Sequence, residues 1–238
     1  MINPMPFPAT ELDDAGLNRQ HVFNLSDLPA EVLAPLGPLA NFTQLILLGH
    51  AGRRLWTCVQ AAHLPGEHPI DDYTTQVVSR LFTPLLGNAP WQLVYPGEVM
   101  IGLQALGRLA GWHHPAPFMV GIDSQWGSWS AYRAVILAQS QFPISPRSHL
   151  APPCPSCLNP PCISACPAQA LQGGEFVFSR CSTFRLLENS PCAQGCLARL
   201  ACPVGQEHRY DEAQIVHSYQ RSLQWLRQMQ RDGISSAR

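Results

Sequence analysis

Eight of the nine cysteines in this 238-residue chain lie in one stretch, from Cys154 to Cys202. The ninth, Cys58, stands alone in an apolar run, and we expect it to be a buried helix residue that packs as a small hydrophobe. Thiolates that are closely spaced along a chain are the usual ligands of iron–sulfur clusters and of structural zinc. The residues most able to do chemistry therefore lie towards the C-terminal end of the sequence.

The first four of these cysteines end in a cysteine–proline pair. The sequence CPSCLNPPCISACP supplies Cys154, Cys157, Cys162 and Cys166, and Pro167 follows. In bacterial ferredoxins three closely spaced thiolates bind one [4Fe–4S] cluster, and the fourth cysteine, before a proline, binds the other cluster. A short loop can reach three corners of a cube but not the fourth. The wider gap between the second and third cysteines predicts a loop that bulges outward.

The last four cysteines end in the same way. The sequence RCSTFRLLENSPCAQGCLARLACP supplies Cys181, Cys192, Cys196 and Cys202, with Pro203 next. Proline is well tolerated at the first position of a helix, so each pair predicts a thiolate held where a helix starts. If the two halves exchange their last ligand, the eight thiols form two sets. These are Cys154, Cys157, Cys162 and Cys202 for one cluster, and Cys166, Cys181, Cys192 and Cys196 for the other.

Other uses of the eight thiols fit their spacing less well. Zinc ribbons and fingers usually present two C-x-x-C pairs per site, and only Cys154 and Cys157 have that spacing. Disulfides are typical of short exported chains. A single cluster with four spectator cysteines leaves the twin endings unexplained. Four arginines near the second half either offset the negative charge of the clusters or are ordinary solvated side chains: Arg180, Arg185, Arg199 and Arg209.

The composition excludes several classes of protein. With 46% hydrophobic and 13% charged residues, the chain can bury a core and is not a disordered tail. All 15 basic residues are arginine, which excludes a lysine Schiff base and a phosphate-loop lysine. The net charge of −1 gives no reason to expect nucleic acid or an anionic membrane as a partner. Without a bilayer-length apolar stretch or a signal-peptide pattern, the protein is expected to be cytoplasmic.

The sequence before the cysteines alternates between strand and helix patterns. Short apolar runs predict strands or inner elements at Leu45–Leu48, Trp91–Tyr95, Phe118–Ile122 and Tyr132–Ala138. Apolar residues at helical spacing predict a helix that Asp71 caps and Gly87 ends. A second helix is predicted from Val99 to Ala110, ended by Gly111. This alternation favours a layered α/β domain.

Three domains follow from these patterns. Residues 1–145 are predicted to form an α/β domain that binds a cofactor or docks a partner, and the proline-rich segment 141–161 is a linker. Residues 146–210 are predicted to form a ferredoxin-like domain with two [4Fe–4S] clusters. Residues 211–238 are predicted to contain a last helix, with Asp211 as its cap. The fold class is therefore α+β.

The combination of these features resembles the epoxyqueuosine reductase family over residues 40–205. The likeness rests on the ordered cysteines, the Arg180-Cys181 pair with Glu188 beyond it, the Gly127-Ser128-Trp129 turn, and Asp72-Tyr73 near a helix start. The resemblance implies a nitroreductase-like domain that binds cobalamin, followed by a module with two [4Fe–4S] clusters. In that family electrons pass through the clusters to the corrinoid, which reduces an epoxide on a tRNA nucleoside. It also implies candidate residues for binding cobalamin or flavin, namely Tyr95, Gly127, Ser128 and Trp129.

The chain departs from the family pattern in three places. Residues 93–97, LVYPG, lack the acidic residue that the family has in its active site. Residues 111–115, GWHHP, lack the lysine of the matching loop. The helical repeats that hold tRNA are not matched, so we expect a short divergent member of the family.

Two functions are compatible with this sequence. The first is a reductase, in which a corrinoid or flavin receives single electrons from the clusters and a small-molecule substrate is reduced. The second is a non-enzymatic electron carrier whose N-terminal domain only docks a partner. The missing acid and lysine favour the carrier, and the presence of a whole α/β domain favours the reductase. Either function requires a redox partner protein that donates electrons.

Overall fold

The computed structural model of the chain describes residues 6–173 and 175–232. These residues form two units: the described residues up to His113 with Ser130–His149, and His114–Trp129 with those from Leu150 onward. The predicted boundaries 1–145, 146–210 and 211–238 place residues 114–129 differently, and they stay a prediction about separately folding domains. Residues 1–5 and 233–238, at the ends of the first and last predicted domains, lie outside the described residues.

The first unit is built on an antiparallel sheet of four strands. In chain order these are β1 (Arg19–Asn24), β2 (Gln44–Ala51), β3 (Trp91–Tyr95) and β4 (Ser130–Ala138). Their spatial order is β1-β2-β4-β3, and every residue of β2 is buried because both faces of this central strand are covered. The strands predicted at β2, β3 and β4 are present. Strand β1 is an addition that its sequence, RQHVFN, gave little reason to expect, because only Val22 and Phe23 are apolar.

Five helices belong to the first unit. They are α1 (Ala9–Asp14), α2 (Ala30–Leu33), α3 (Arg54–Ala62), α4 (Pro69–Leu86) and α5 (Leu103–Ala110), with 3₁₀ turns at Leu25–Asp27 and Ala34–Leu36. Helix α4 starts earlier than predicted because Pro69 takes its first position, so Asp71 lies in the first turn instead of capping it. Helix α5 starts later than predicted, after Gly102, and Val99 lies outside it. Cys58 lies in α3 as predicted but is only partly buried.

Alternate side chains of the sheet supply two separate cores. Ile46 and Leu48 of β2 pack with Phe82 of α4 in a cluster that also contains residues of α3. Leu45 and Leu47 point to the opposite face and join a cluster that contains α5. This alternation is what a strand requires when both of its faces are covered. The α+β class predicted from the sequence is therefore correct.

The described residues of the second unit form three helices of nine residues or fewer, one helix of 20 residues, and turns. Its helices are α6 (Pro161–Ser164), α7 (Phe178–Leu186), α8 (Leu197–Ala201) and α9 (Glu212–Arg231), with 3₁₀ turns at Cys154–Ser156 and Gln206–His208. Helix α9 begins as predicted, because Asp211 Oδ1 accepts a hydrogen bond from the Gln214 amide at 2.8 Å. None of the helices in the described parts of the chain is long and apolar enough to cross a bilayer.

Of the two alternatives predicted for Phe118–Ile122, a strand or an inner element, the strand is wrong. Only single bridges form here, between His114 and Ile122 and between Asp123 and Gly127. Pro117 precedes the apolar run and Gly121 has a φ of +70°, so the chain turns within it. Phe118 and Ile122 are buried all the same, in a cluster with cysteine residues of the second unit.

Two glycines allow two turns of the second unit to touch backbone to backbone. A Cβ on Gly127, whose φ is +60°, would lie 2.1 Å from the carbonyl oxygen of Val204. A Cβ on Gly205 would lie 2.5 Å from the carbonyl carbon of Trp126. A side chain at either position would therefore push the two turns apart.

We predict that Gly127→Ala lowers the free energy of unfolding by about 2 kcal/mol more than Gly173→Ala does, because it adds a clash to the cost of positive φ. Gly173 is the matched control, since its φ is +87° and a Cβ there would have nothing within 4 Å. Urea unfolding of protein purified without oxygen measures both values. Equal losses in the two variants would contradict the close packing of these turns.

Candidate metal centre

The structure brings the eight clustered cysteines together in two groups within the second unit. We call Cys154, Cys157, Cys162 and Cys202 the first cysteine group, and Cys166, Cys181, Cys192 and Cys196 the second. Within the first group, the charges of Cys157 and Cys202 act on both Cys154 and Cys162. Within the second, those of Cys166 and Cys196 act on both Cys181 and Cys192. The groups coincide with the two sets obtained by exchanging the last ligand, and their role as cluster ligands stays a prediction.

Two short helices each carry thiols of both groups. Cys162 lies in α6, and Cys166 follows that helix by two residues. Cys196 caps α8 at its start, where its Sγ accepts a hydrogen bond from the Arg199 amide at 3.4 Å, and Cys202 caps the end of α8. Helices α6 and α8 pack against each other. Because each of these helices places one thiol in each group, their packing accounts for the exchange of the last ligand between the two halves of the sequence.

The prolines after Cys166 and Cys202 do not start helices, contrary to the prediction. Each cysteine lies just past the end of a short helix, and the proline leads into a turn. Proline cannot continue a helix without losing a hydrogen bond, so it fixes the point at which each helix stops. The wide gap before Cys162 forms a turn through Asn159, whose φ is +50°, and leaves Leu158 89% exposed, as expected for an outward bulge.

The thiols are held in surroundings that disfavour an isolated negative charge. Burial, followed by the charges of neighbouring cysteines, raises the pKa of Cys154 and Cys162. Burial likewise raises the pKa of Cys192 and Cys202, and it raises that of Cys181 to about 11. Such thiols lose their protons at neutral pH only when a cation binds between them. The donor set therefore fits a metal centre that supplies several positive charges.

The second cysteine group lines a cavity of about 290 Å³. Its other walls are mainly apolar and include Phe118, Phe176 and Phe184. Within residues 6–173 and 175–232, no three His, Cys, Asp or Glu side chains converge closely enough to share one metal ion. A [4Fe–4S] cluster makes a different demand, because each thiolate binds its own iron at a separate corner.

Two of the four arginines singled out in the sequence line this cavity. Arg185 donates from Nε to the carbonyl oxygen of Cys192 at 3.1 Å and from its terminal nitrogen to that of Tyr219 at 3.0 Å. Arg199 donates from Nε to Ser128 Oγ at 3.1 Å. By contrast, Arg180 is exposed and donates to the carbonyl oxygen of Gln169 at 3.2 Å.

The Gly127-Ser128-Trp129 turn lies in the second unit, and two of its residues contact the guanidinium of Arg199. Trp129 is 1% exposed, and its ring lies 4.3 Å from the Arg199 guanidinium. The guanidinium of Arg209 lies 5.6 Å from the ring of Trp129 and donates to the carbonyl oxygen of Leu200. The predicted role of this turn in binding cobalamin or flavin stays a prediction.

Tyr95, the remaining candidate for binding a cofactor, ends β3 in the first unit beside a polar group that the sequence analysis missed. Arg133 of β4 donates from Nε to Nδ1 of the buried His50 at 3.0 Å and lies 3.9 Å from the Asp71 carboxylate. Burial raises the pKa of the Tyr95 hydroxyl, Arg133 lowers it and Asp71 raises it. These residues come from three elements and share no motif, so the sequence gave no signal of this group.

No family model matches the sequence, and no curated protein matches it. Among solved structures, epoxyqueuosine reductase from Streptococcus thermophilus matches with a TM-score of 0.55 and 13% identity, over 83% of this chain and 65% of that one. The enzyme from Bacillus subtilis, with its catalytic loop swung out of the active site, matches with a TM-score of 0.51 and 14% identity, over 85% of this chain and 66% of that one. A complex of epoxyqueuosine reductase with an epoxyqueuosine-modified tRNA-Tyr stem loop matches with a TM-score of 0.55 and 14% identity, over 87% of this chain and 67% of that one.

This chain spans less than two thirds of the length of the first two matched structures. Identities of 13–14% establish a shared fold and leave the reaction open. The resemblance predicted from cysteine order and a few short motifs is confirmed at that level, since this chain has the fold of epoxyqueuosine reductase.

Proposed function

We propose that this chain is an iron–sulfur redox protein that binds one [4Fe–4S] cluster through each of its two cysteine groups. The observation that carries the proposal is the separation of eight buried or half-buried thiols into two groups of four, each mixing cysteines from both halves of the sequence. Ionised thiolates held this close would repel one another, so the thiols of each group keep their protons unless cations bind between them. Iron supplies four cations per group, with inorganic sulfide between them.

Backbone amides prepare both groups for negative charge. In the first group the amides of Cys162 and Ile163 lower the pKa of the Cys162 thiol, and the amide of Val204 lowers that of Cys202. In the second group the amide of Leu197 lowers the pKa of the Cys192 thiol, and the amide of Arg199 donates a hydrogen bond to Cys196 Sγ. Hydrogen bonds to cluster sulfurs are one of the means by which proteins set the potential at which a cluster accepts a single electron.

For the first unit we propose binding of a corrinoid or flavin and reduction of a substrate. The shared fold supports this, and so does the size of the unit, because an electron carrier does not need the additional sheet and helices. Tyr95 lies in the segment 93–97, where the resemblance places an acidic residue. Because burial raises its pKa, the Tyr95 hydroxyl keeps its proton at neutral pH and can donate a hydrogen bond to a bound ligand.

The alternative is a carrier that passes electrons to another protein without binding an organic cofactor. The observation that favours it is the sequence LVYPG at 93–97, which has no acidic residue, together with the absence of lysine from the whole chain. Both functions use the same two clusters and the same external electron donor. They differ in whether the first unit binds a cofactor.

The expectation that nucleic acid is not a partner needs revision. It rested on the net charge of −1, but one of the matched structures contains a tRNA stem loop. Net charge is a poor guide here, since a local cluster of arginines can bind phosphates on a protein that is neutral overall. We therefore propose an RNA stem loop beside small molecules as a substrate class.

We predict that protein prepared without oxygen is brown and contains about eight irons per chain, four for each cluster. Metal analysis measures the iron, and electron paramagnetic resonance (EPR) after reduction identifies cubane clusters. The purified protein with Cys58→Ala is the control, because Cys58 lies in the first unit and should not affect the iron content. Stoichiometric zinc without visible absorption would disprove the proposal.

The exchange of ligands predicts a specific pattern among cysteine variants. Cys157→Ala and Cys202→Ala should each remove about half of the iron, and the double variant should lose no more. Cys166→Ala combined with Cys202→Ala should remove nearly all of it, because the two residues serve different clusters. If the first four cysteines instead shared one cluster, Cys157→Ala with Cys202→Ala would also remove nearly all of the iron, so this double variant is the one that distinguishes the two pairings.

Titration with cobalamin and with flavin mononucleotide separates the reductase from the carrier. We predict that one of them binds, and that Tyr95→Phe weakens binding about fivefold by removing one hydrogen bond. Tyr73→Phe is the control, since the Tyr73 hydroxyl instead donates to the carbonyl oxygen of Ala15 at 3.2 Å. Absence of binding in both titrations, with the iron content intact, would support the carrier.

A further inference from the structure

The two cysteine groups differ in the positive charge around them. Arg185 and Arg199 line the cavity of the second group, and the charge of Arg185 acts on Cys181 and Cys192. In the first group, the pKa values of Cys154, Cys162 and Cys202 are raised by burial and by neighbouring cysteines and adjusted by backbone amides, with no arginine among the causes. Among the described residues, arginine charges therefore lie beside the second group, where they stabilise negative charge, and none contributes to the pKa shifts of those three thiols in the first group.

Arg199 is held from several sides, so its charge has a fixed position. Its guanidinium donates to the hydroxyl and the carbonyl oxygen of Ser128 and to the hydroxyl of Tyr219. The rings of Trp129 and Tyr210 lie 4.3 Å and 5.2 Å from it. A cation held in this way cannot move away to solvent, so it acts on nearby charge through a medium of low dielectric constant.

Arg185 is anchored on the other side of the same group. It extends from α7, where Cys181 also lies, and binds the carbonyl oxygens of Cys192 and Tyr219. Its guanidinium carbon stands 5.0 Å from the ring of Tyr219 in α9. Tyr219 therefore connects the two arginines, through its ring and backbone to Arg185 and through its hydroxyl to Arg199.

We propose that Arg185 and Arg199 give the second cysteine group the higher reduction potential of the two, so that an electron delivered to the module comes to rest there. The inference rests on the proposed function. One electron from a one-electron reductant converts [4Fe–4S]²⁺ to [4Fe–4S]⁺, the donor loses that electron, and no bond or proton changes place. With four thiolates the net charge goes from −2 to −3, and nearby fixed cations stabilise the more negative state more strongly.

This assigns a role to the Gly127-Ser128-Trp129 turn that the sequence resemblance did not give it. Ser128 and Trp129 are positioning residues, which act on the second group through Arg199. Gly127 lets their turn approach the backbone at Val204, two residues after Cys202. The turn holds the cation close to one group while its own backbone packs beside the end of the other.

The test is a redox titration of the full-length iron-loaded protein with dithionite, followed by EPR, in which two midpoint potentials are expected. Arg199→Gln should lower the higher midpoint by at least about 59 mV, a tenfold change in the one-electron equilibrium constant, and leave the lower one unchanged. Arg199→Lys should retain most of the difference, because it keeps the charge. Arg180→Gln is the matched control, because Arg180 is next to Cys181 in the sequence but its own side chain is exposed.

A second pair of variants covers the case in which Arg199→Gln does not fold. Arg185→Gln should lower the same midpoint as Arg199→Gln. In addition, Cys181→Ser should shift only the higher midpoint and Cys157→Ser only the lower, since an oxygen ligand alters the cluster that it binds. If Cys157→Ser instead shifts the higher midpoint, the proposal is wrong, whatever the arginine variants show.

The outcomes separate this inference from the proposed function. If iron analysis finds two clusters but the arginine variants leave both midpoints unchanged, the proposed function stands and the inference is wrong. If the protein contains no clusters, both are wrong. If Arg199→Gln lowers both midpoints equally, the arginines act on the module as a whole, and the assignment of the higher potential to the second group is wrong.

Discussion

Repulsion among thiolates, which would arise if the closely placed thiols lost their protons, is the constraint on which the second unit depends. Folding brings four cysteines into each of two groups, and burial raises the pKa of several of them. An apolar core of the same size would be easier to build from leucine and valine. The proposed clusters would supply cations between the thiols, and the free energy of metal binding would then become part of the free energy of folding.

The same constraint explains why the second unit has so little regular structure. Helices α6 and α8 have four and five residues, too few to be stable alone, and each is held by cysteines of both groups. Metal binding would fix both helices at once. The close packing of the turns at Gly127 and Gly205 serves the same end, because it places Ser128 and Trp129 beside the helix that carries Arg199.

The sequence was informative where function or burial depends on local pattern. The spacing of the cysteines and the prolines after Cys166 and Cys202 indicated two mixed sets, and continuous apolar runs indicated β2, β3 and β4. It was uninformative where tertiary contacts decide. In the run at 118–122, Phe118 and Ile122 are buried in a cluster with cysteines, although the run is not a strand. The group of His50, Arg133 and Asp71 beside Tyr95 is formed by three elements distant in sequence, so no motif contains it.

The net charge of the chain does not reveal that arginines are placed unevenly around the two cysteine groups. The chain has a net charge of −1, and its arginines are spread along the sequence. Four of them lie near the second half of the cysteines, yet only Arg185 and Arg199 line the cavity, while Arg180 points to solvent. Two identical clusters in identical surroundings would share an electron equally. If both groups bind clusters, two arginines on one side would break that equality, and the unequal potentials would give electron transfer within the module a direction.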